Sequence, residues 1–132
     1  MVKRTDWKTV GMPEQTANFV IYREFTDSEM EYIKEGHRPQ EMEDKWFMYY
    51  EDGKLFIHRS WTGYCIYIID FAQKGRLDVT VNRDPEQYKE NRIENDEDMV
   101  NIRINMLIKN NAENAELMKR YLARKNNGDS VE

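Results

Sequence analysis

Asp52-Gly53 stands between two runs of strand-like residues, K-W-F-M-Y-Y-E and K-L-F-I-H-R-S, and this arrangement leaves the middle of the chain little choice of fold. A two-residue Asp-Gly connection favours a type I′ turn, whose twist matches that of its flanking strands. The turn also sets the register: Glu51 opposite Lys54, Tyr50 opposite Leu55, Tyr49 opposite Phe56, Met48 opposite Ile57, Phe47 opposite His58 and Trp46 opposite Arg59. Side chains alternate across a strand, so one face carries Trp46, Met48, Tyr50, Leu55, Ile57 and Arg59. The other carries Lys45, Phe47, Tyr49, Phe56, His58 and Ser60.

The neighbouring segments extend this hairpin. After a tight W-T-G connection, Y-C-I-Y-I-I-D-F reads as a third strand and R-L-D-V-T-V-N-R as a fourth, in which Leu77, Val79 and Val81 point one way. A three-residue Q-K-G loop with Gly75 in the left-handed conformation pairs Phe71 with Leu77, Ile69 with Val79 and Tyr67 with Val81. Upstream, residues 1–18 form an irregular lead-in from which Trp7 docks on the body, and F-V-I-Y-R-E-F, 19–25, reads as a strand. Thr26 with Glu29 forms a capping box for a short helix that Gly36 stops. The acidic stretch 84–98, with seven acids and two bases, reads as a loop leading to Asn95 as a helix cap. Two C-terminal helices follow. The first carries Met99, Val100, Ile102, Ile104, Met106, Leu107 and Ile108 on a broad apolar face. The second turns Leu117, Met118, Tyr121 and Leu122 inward and its bases outward, ahead of a frayed tail at 126–132. Segregated strands and helices indicate an α+β fold: an antiparallel meander of at least four strands, two C-terminal helices and one short N-terminal helix.

Length and charge narrow the function classes. A chain of 132 residues fits one domain. Its 20 Lys and Arg against 25 Asp and Glu, a net of -5, argue against general nucleic-acid binding. Cys65 has no partner for a disulfide, the start lacks the apolar core of a signal peptide, and no apolar run spans a bilayer. An intracellular, cytoplasmic protein without a membrane partner is expected. Two histidines, His37 and His58, exclude a His-rich metal site. No H-E-x-x-H, C-x-x-C, EF-hand, P-loop, G-x-G-x-x-G or G-x-S-x-G pattern occurs, so neither a metal nor an organic cofactor is implied. Cys65, among apolar neighbours, reads as a small buried hydrophobe.

The chemistry concentrates in H-R-S-W-T-G, 58–63. One reading is turn chemistry: Arg59 stacks on Trp46, Ser60 and Thr62 satisfy backbone groups, and Gly63 permits a bend. The other is a ligand site, because a guanidinium forks onto phosphate or carboxylate, imidazole and hydroxyls add donors, and aromatic faces bracket a base or sugar. The run 41–67, about a fifth of the chain, resembles a segment of small bacterial and phage proteins, some found beside or fused to ADP-ribosylglycohydrolase or macrodomain-type enzymes. D-K-W-F at 44–47 and H-R-S-W-T-G at 58–63 carry the likeness, and nothing in 84–132 shares it. The resemblance implies a setting in ADP-ribose or NAD metabolism and assigns no catalytic residue.

Three functions compete. The first is non-enzymatic binding of an ADP-ribose-like or other nucleotide, for sensing or sequestration. In it Arg59 holds phosphate, Lys45 adds charge, His58, Ser60 and Thr62 add polar contacts, and Trp46 or Trp61 stacks on the base. The second is a protein-interaction or homo-oligomer surface built from the same aromatics. The third is a metal-independent acid–base nuclease or ADP-ribosyl hydrolase in which His58 works with Glu43, Asp44 or Glu51. Exposure decides among the residues: if the C-terminal helices cover the face bearing His58, Arg59 and Trp46 are the open pair, and the converse holds otherwise.

Overall fold

The computed structural model describes residues 1–126, in which five antiparallel strands form one sheet in the order β1-β5-β4-β3-β2. The elements are β1 (Thr16–Ile21), α1 (Asp27–Glu35), β2 (Trp46–Glu51), β3 (Lys54–Arg59), β4 (Cys65–Gln73), β5 (Arg76–Asn82) and α2 (Ile93–Asn126). The fold is α+β, as the segregation of strands and helices implies. The β2–β3 register is the one that the Asp-Gly turn dictates, from Glu51 opposite Lys54 to Trp46 opposite Arg59, with positive φ at both Asp52 and Gly53.

Several expectations are corrected. The first strand runs over Thr16–Ile21 rather than 19–25; Ala17 and Phe19 pack against the core and Ile21 joins it, while Tyr22 already faces solvent. At the β4–β5 connection Tyr67 pairs with Val81 and Ile69 with Val79, but the ladder shifts after Asp70 and closes as Gln73 opposite Arg76 around Lys74-Gly75. Asp70 accounts for the shift: its carboxylate takes the Ala72 N–H at 2.8 Å, and the Phe71 N–H goes to the Gly53 carbonyl. The two C-terminal helices are one continuous helix, α2, of 34 residues. It starts at Ile93, so Asn95 lies inside its first turn rather than capping it; just ahead of the helix the Glu90 carboxylate accepts from the Asn91 and Arg92 N–H groups at 3.0 Å, and Asn95 Nδ2 also donates to it. The tail expected over 126–132 lies outside the described residues, apart from Asn126 at the end of α2.

α1 has the expected cap. Thr26 Oγ1 accepts from Glu29 N–H at 3.1 Å, Glu29 accepts from Thr26 N–H at 2.8 Å, and Gly36 ends the helix at φ 76°. A Cβ there would lie 2.6 Å from the Met48 carbonyl, so backbone packing as well as dihedral angle requires glycine. α1 and α2 cover the sheet face bearing Trp46, Met48, Leu55, Ile57, Tyr67, Ile69, Leu77, Val79 and Val81, and add Ile33, Val100, Ile104 and Leu107 to the core. The N-terminal segment covers part of the opposite face: Trp7 stacks on Phe47 at 6.2 Å, and Phe47 is fully buried. No helix among the described residues is long and apolar enough to cross a membrane.

Candidate functional site

The turn from Ser60 to Tyr64 closes on its own hydrogen bonds. Gly63 N–H donates to the Arg59 carbonyl and Arg59 N–H to the Tyr64 carbonyl, both at 2.9 Å. Gly63 sits at φ 81°, and a Cβ there would meet the Lys8 carbonyl oxygen at 3.1 Å. Ser60 Oγ donates to the Asp44 carbonyl at 2.8 Å, Thr62 Oγ1 accepts from Tyr64 N–H at 3.2 Å, and Trp7 Nε1 donates to the Ser60 carbonyl at 2.8 Å. Turn chemistry thus accounts for Ser60 and Gly63 and for one role of Thr62.

The seven candidate binding residues do not gather around one space. His58 points away from α2 into a box of aromatic rings, 5.5 Å from Tyr49 and 6.3 Å from Phe47 between ring centroids, and is 2 % exposed. Its Nδ1 lies 2.9 Å from the Gly63 carbonyl, and a carbonyl only accepts, so Nδ1 carries the proton. Nε2 is then a bare lone pair with no partner. Burial lowers the imidazole pKa, against the smaller upward pull of the Gly63 bond. None of the three carboxylates considered for acid–base work is bonded to it. Asp44 is 2.6 Å from His37 Nε2, Glu51 pairs with Arg4 at 3.6 Å, and Glu43 is exposed. Covering one face with α2 therefore does not open the other at His58. Ser60 is equally buried, and Trp46, 8 % exposed, lies beneath Arg59.

Arg59, Lys45, Trp61 and Thr62 do come together. With Tyr64, Glu86 and Gln87 they line a cavity of about 440 Å³ at the open end of the β2–β3 hairpin. The Arg59 guanidinium lies 4.7 Å from the Trp46 ring centre and 6.0 Å from that of Tyr88. Among the described residues neither Arg59 nor Lys45 takes part in a salt bridge. Arg103 on α2 stacks on the same indole at 5.5 Å, with its Nε buried and unpartnered. Burial lowers the Arg103 pKa, the nearby charge of Asp44 works against that, and the charge of Arg59 adds to it. Trp61 is 63 % exposed, anchored by its Nε1 donating to the Met42 carbonyl at 2.9 Å. It also borders a second cavity of about 710 Å³ lined by Trp7, Lys8, Pro39 and Met42 among others.

One part of the site has no counterpart in the sequence reading. Asp96, in the first turn or so of α2, is fully buried and forms an ion pair with Arg83. The Tyr67 hydroxyl donates its proton to Asp96 Oδ1 at 2.9 Å, so the 2.8 Å contact with the Tyr88 hydroxyl has Tyr88 as donor. Burial pushes the Tyr67 phenol far above its usual value, with Tyr88 and Asp96 pushing the same way. Arg83 also donates to the Asn82 and Glu90 carbonyls. Asn82 Nδ2 bridges the Cys65 carbonyl and Gln87 Oε1 at 2.9 and 2.8 Å. This network pins residues 82–96 to the sheet and so holds Glu86, Gln87 and Tyr88 beside Arg59. The signal that marks it is spacing: Asp96 falls in line with Val100, Ile104 and Leu107 on the buried face of α2. Cys65 is buried, with its thiol pKa pushed up to about 12, which leaves it inert at neutral pH.

Compared with family models, with curated proteins and with solved structures, the chain matches none of them.

Proposed function

We propose that the Arg59 cavity binds a phosphate-bearing, nucleotide-like ligand, without catalysis, as a sensing or sequestering module. The observation that carries this reading is Arg59 itself. Stacking on Trp46 occupies one face of its guanidinium, the N–H groups that fork onto phosphate have no carboxylate partner among the described residues, and the residue lines a cavity. Lys45 adds a second charge, Trp61 and Tyr64 offer aromatic surfaces for a base, and Thr62, Gln87 and Glu86 are placed for ribose hydroxyls. The volume of about 440 Å³ is in the range of small-molecule pockets. The resemblance of 41–67 makes ADP-ribose and NAD the first ligands to try. Hydrolysis through His58 finds no support in its burial or in its single bond to Gly63.

Calorimetry with ADP-ribose, NAD, AMP and inorganic diphosphate tests the reading. Arg59→Ala is expected to weaken every one of these by at least about tenfold, the scale of a charge-assisted hydrogen bond. Trp61→Ala is expected to weaken the nucleotides by about tenfold through lost stacking and to leave inorganic diphosphate unchanged. Absence of heat with all four, or equal affinity in Arg59→Ala, removes this function.

A further inference from the structure

We propose that the last third of α2 is a self-association surface, on which two copies of this chain pair their helices antiparallel. α2 is held to the body through Val100, Ile104 and Leu107. Among the described residues its last hydrogen bonds to the body are those of Asn111, whose Nδ2 donates to the Tyr32 and Gly36 carbonyls at 2.8 and 3.0 Å. From Glu113 to Asn126 every residue is exposed. This stretch beyond Asn111 reaches roughly 22 Å at 1.5 Å per residue. Leu117, Met118, Tyr121 and Leu122, expected to point inward, are instead 57, 57, 43 and 47 % exposed. They share an arc of about 140° at 100° per residue, and Met118 and Leu122 continue the line of the buried stripe past the edge of the sheet. A helical segment of this length is marginal in water on propensity alone, and an apolar arc of this kind is stabilised by a partner.

Charge identifies the partner as a second copy. Glu113 and Glu116 lie on the half of the segment nearest the body, and Lys119, Arg120, Arg124 and Lys125 on the far half. Parallel pairing sets like charges side by side, whereas antiparallel pairing sets acids against bases at both ends. With Met118 opposite Tyr121 of the second copy, Glu113 lies beside Arg124 of that copy, and the two-fold axis repeats the contact. Glu116 already pairs with Arg120 within its own helix at 3.8 Å, which leaves Glu113 and Arg124 for the contact between copies. No residue of this segment lines the Arg59 cavity, so pairing and ligand binding are independent.

Light scattering and sedimentation across a concentration series provide the test. The mass is expected to double as concentration rises, and Leu117→Glu with Tyr121→Glu is expected to return it to the monomer, with far-UV dichroism confirming a folded body. Glu113→Arg alone is expected to weaken the dimer at least about fivefold by creating like charges across the interface, and Glu113→Arg with Arg124→Glu to restore it, as only an antiparallel two-fold requires. A monomer up to roughly 1 mM, where even weak contacts register, overturns the proposal. So does a dimer that survives the glutamate substitutions, one that Trp61→Ala dissociates instead, or a double charge reversal that fails to restore pairing.

Discussion

Arg59 and Arg83 are both linked to Tyr88, Arg59 across the face of its ring and Arg83 through Asp96 and the Tyr67 hydroxyl, but they have opposite fates. Arg83 spends its donors on a buried carboxylate and two backbone carbonyls. Arg59 stacks on aromatic rings, has no salt-bridge partner among the described residues, and lines a cavity. An arginine bonded to a buried carboxylate serves the fold, because removing that partner strands a buried charge. One held by stacking alone is positioned yet unspent, and its loss is felt first by whatever binds there.

Four changes would break or sharpen that contrast. The largest effect is expected from Asp96→Asn, which leaves Arg83 charged and unpaired within the network. Urea denaturation should show a loss of about 3 kcal/mol or more, and a loss under about 1 kcal/mol would mean that the pair is not structural. Arg59→Ala should do the reverse, lowering affinity for phosphate ligands at least about tenfold while costing less than about 1 kcal/mol of stability, the scale of a part-exposed cation–π contact. Calorimetry and denaturation on the same sample separate the two outcomes. Tyr67→Phe removes the hydroxyl that joins Asp96 to Tyr88 and should cost about 1 kcal/mol, with ligand affinity unchanged unless Tyr88 moves.

The smallest effect concerns His58. Its folded-state pKa is lowered below the usual 6.5, so between those two values the unfolded chain binds the extra proton. Its contribution to stability is fully present above about pH 6.5 and is lost as pH falls from there toward the folded pKa, by no more than about 1.4 kcal/mol per pH unit for one proton. Melting temperature recorded from pH 7.5 to 5 should therefore fall in the native protein and fall less in His58→Phe. Identical slopes would assign the acid sensitivity to another group.

The parts of this architecture that could be read from the sequence are those set by neighbours along the chain. Asp52-Gly53 admits one tight turn, and from it the whole β2–β3 register follows, including Arg59 over Trp46. The Thr26–Glu29 box and the Gly36 stop are equally local. What the sequence hid depends on distant partners. Asn110-Asn111 resembles a helix break, yet Asn111 caps the end of α1 and α2 passes through without interruption. The acidic stretch resembles a solvated loop, yet Asp96 is the least exposed carboxylate in the network because Arg83 and Tyr67 arrive from the sheet. In the candidate site, Arg59, Lys45, Trp61 and Thr62 face one cavity as a group, whereas His58 and Ser60 are drawn inward by Gly63 and Asp44. The alternation of side chains placed His58 on the opposite face from Arg59, but it carried no information that the N-terminal Trp7 would help close that face.

Trp46 lies under two guanidiniums, those of Arg59 and Arg103, and is nearly sealed from water, whereas Trp61 stands in the open. An indole bracketed by positive charge emits at a wavelength that responds to the local field, so a phosphate that neutralises Arg59 changes the colour of Trp46 from inside the protein. On the proposed binding, that indole would serve as a built-in fluorescent gauge of occupancy, read with inorganic diphosphate so that stacking on Trp61 does not enter.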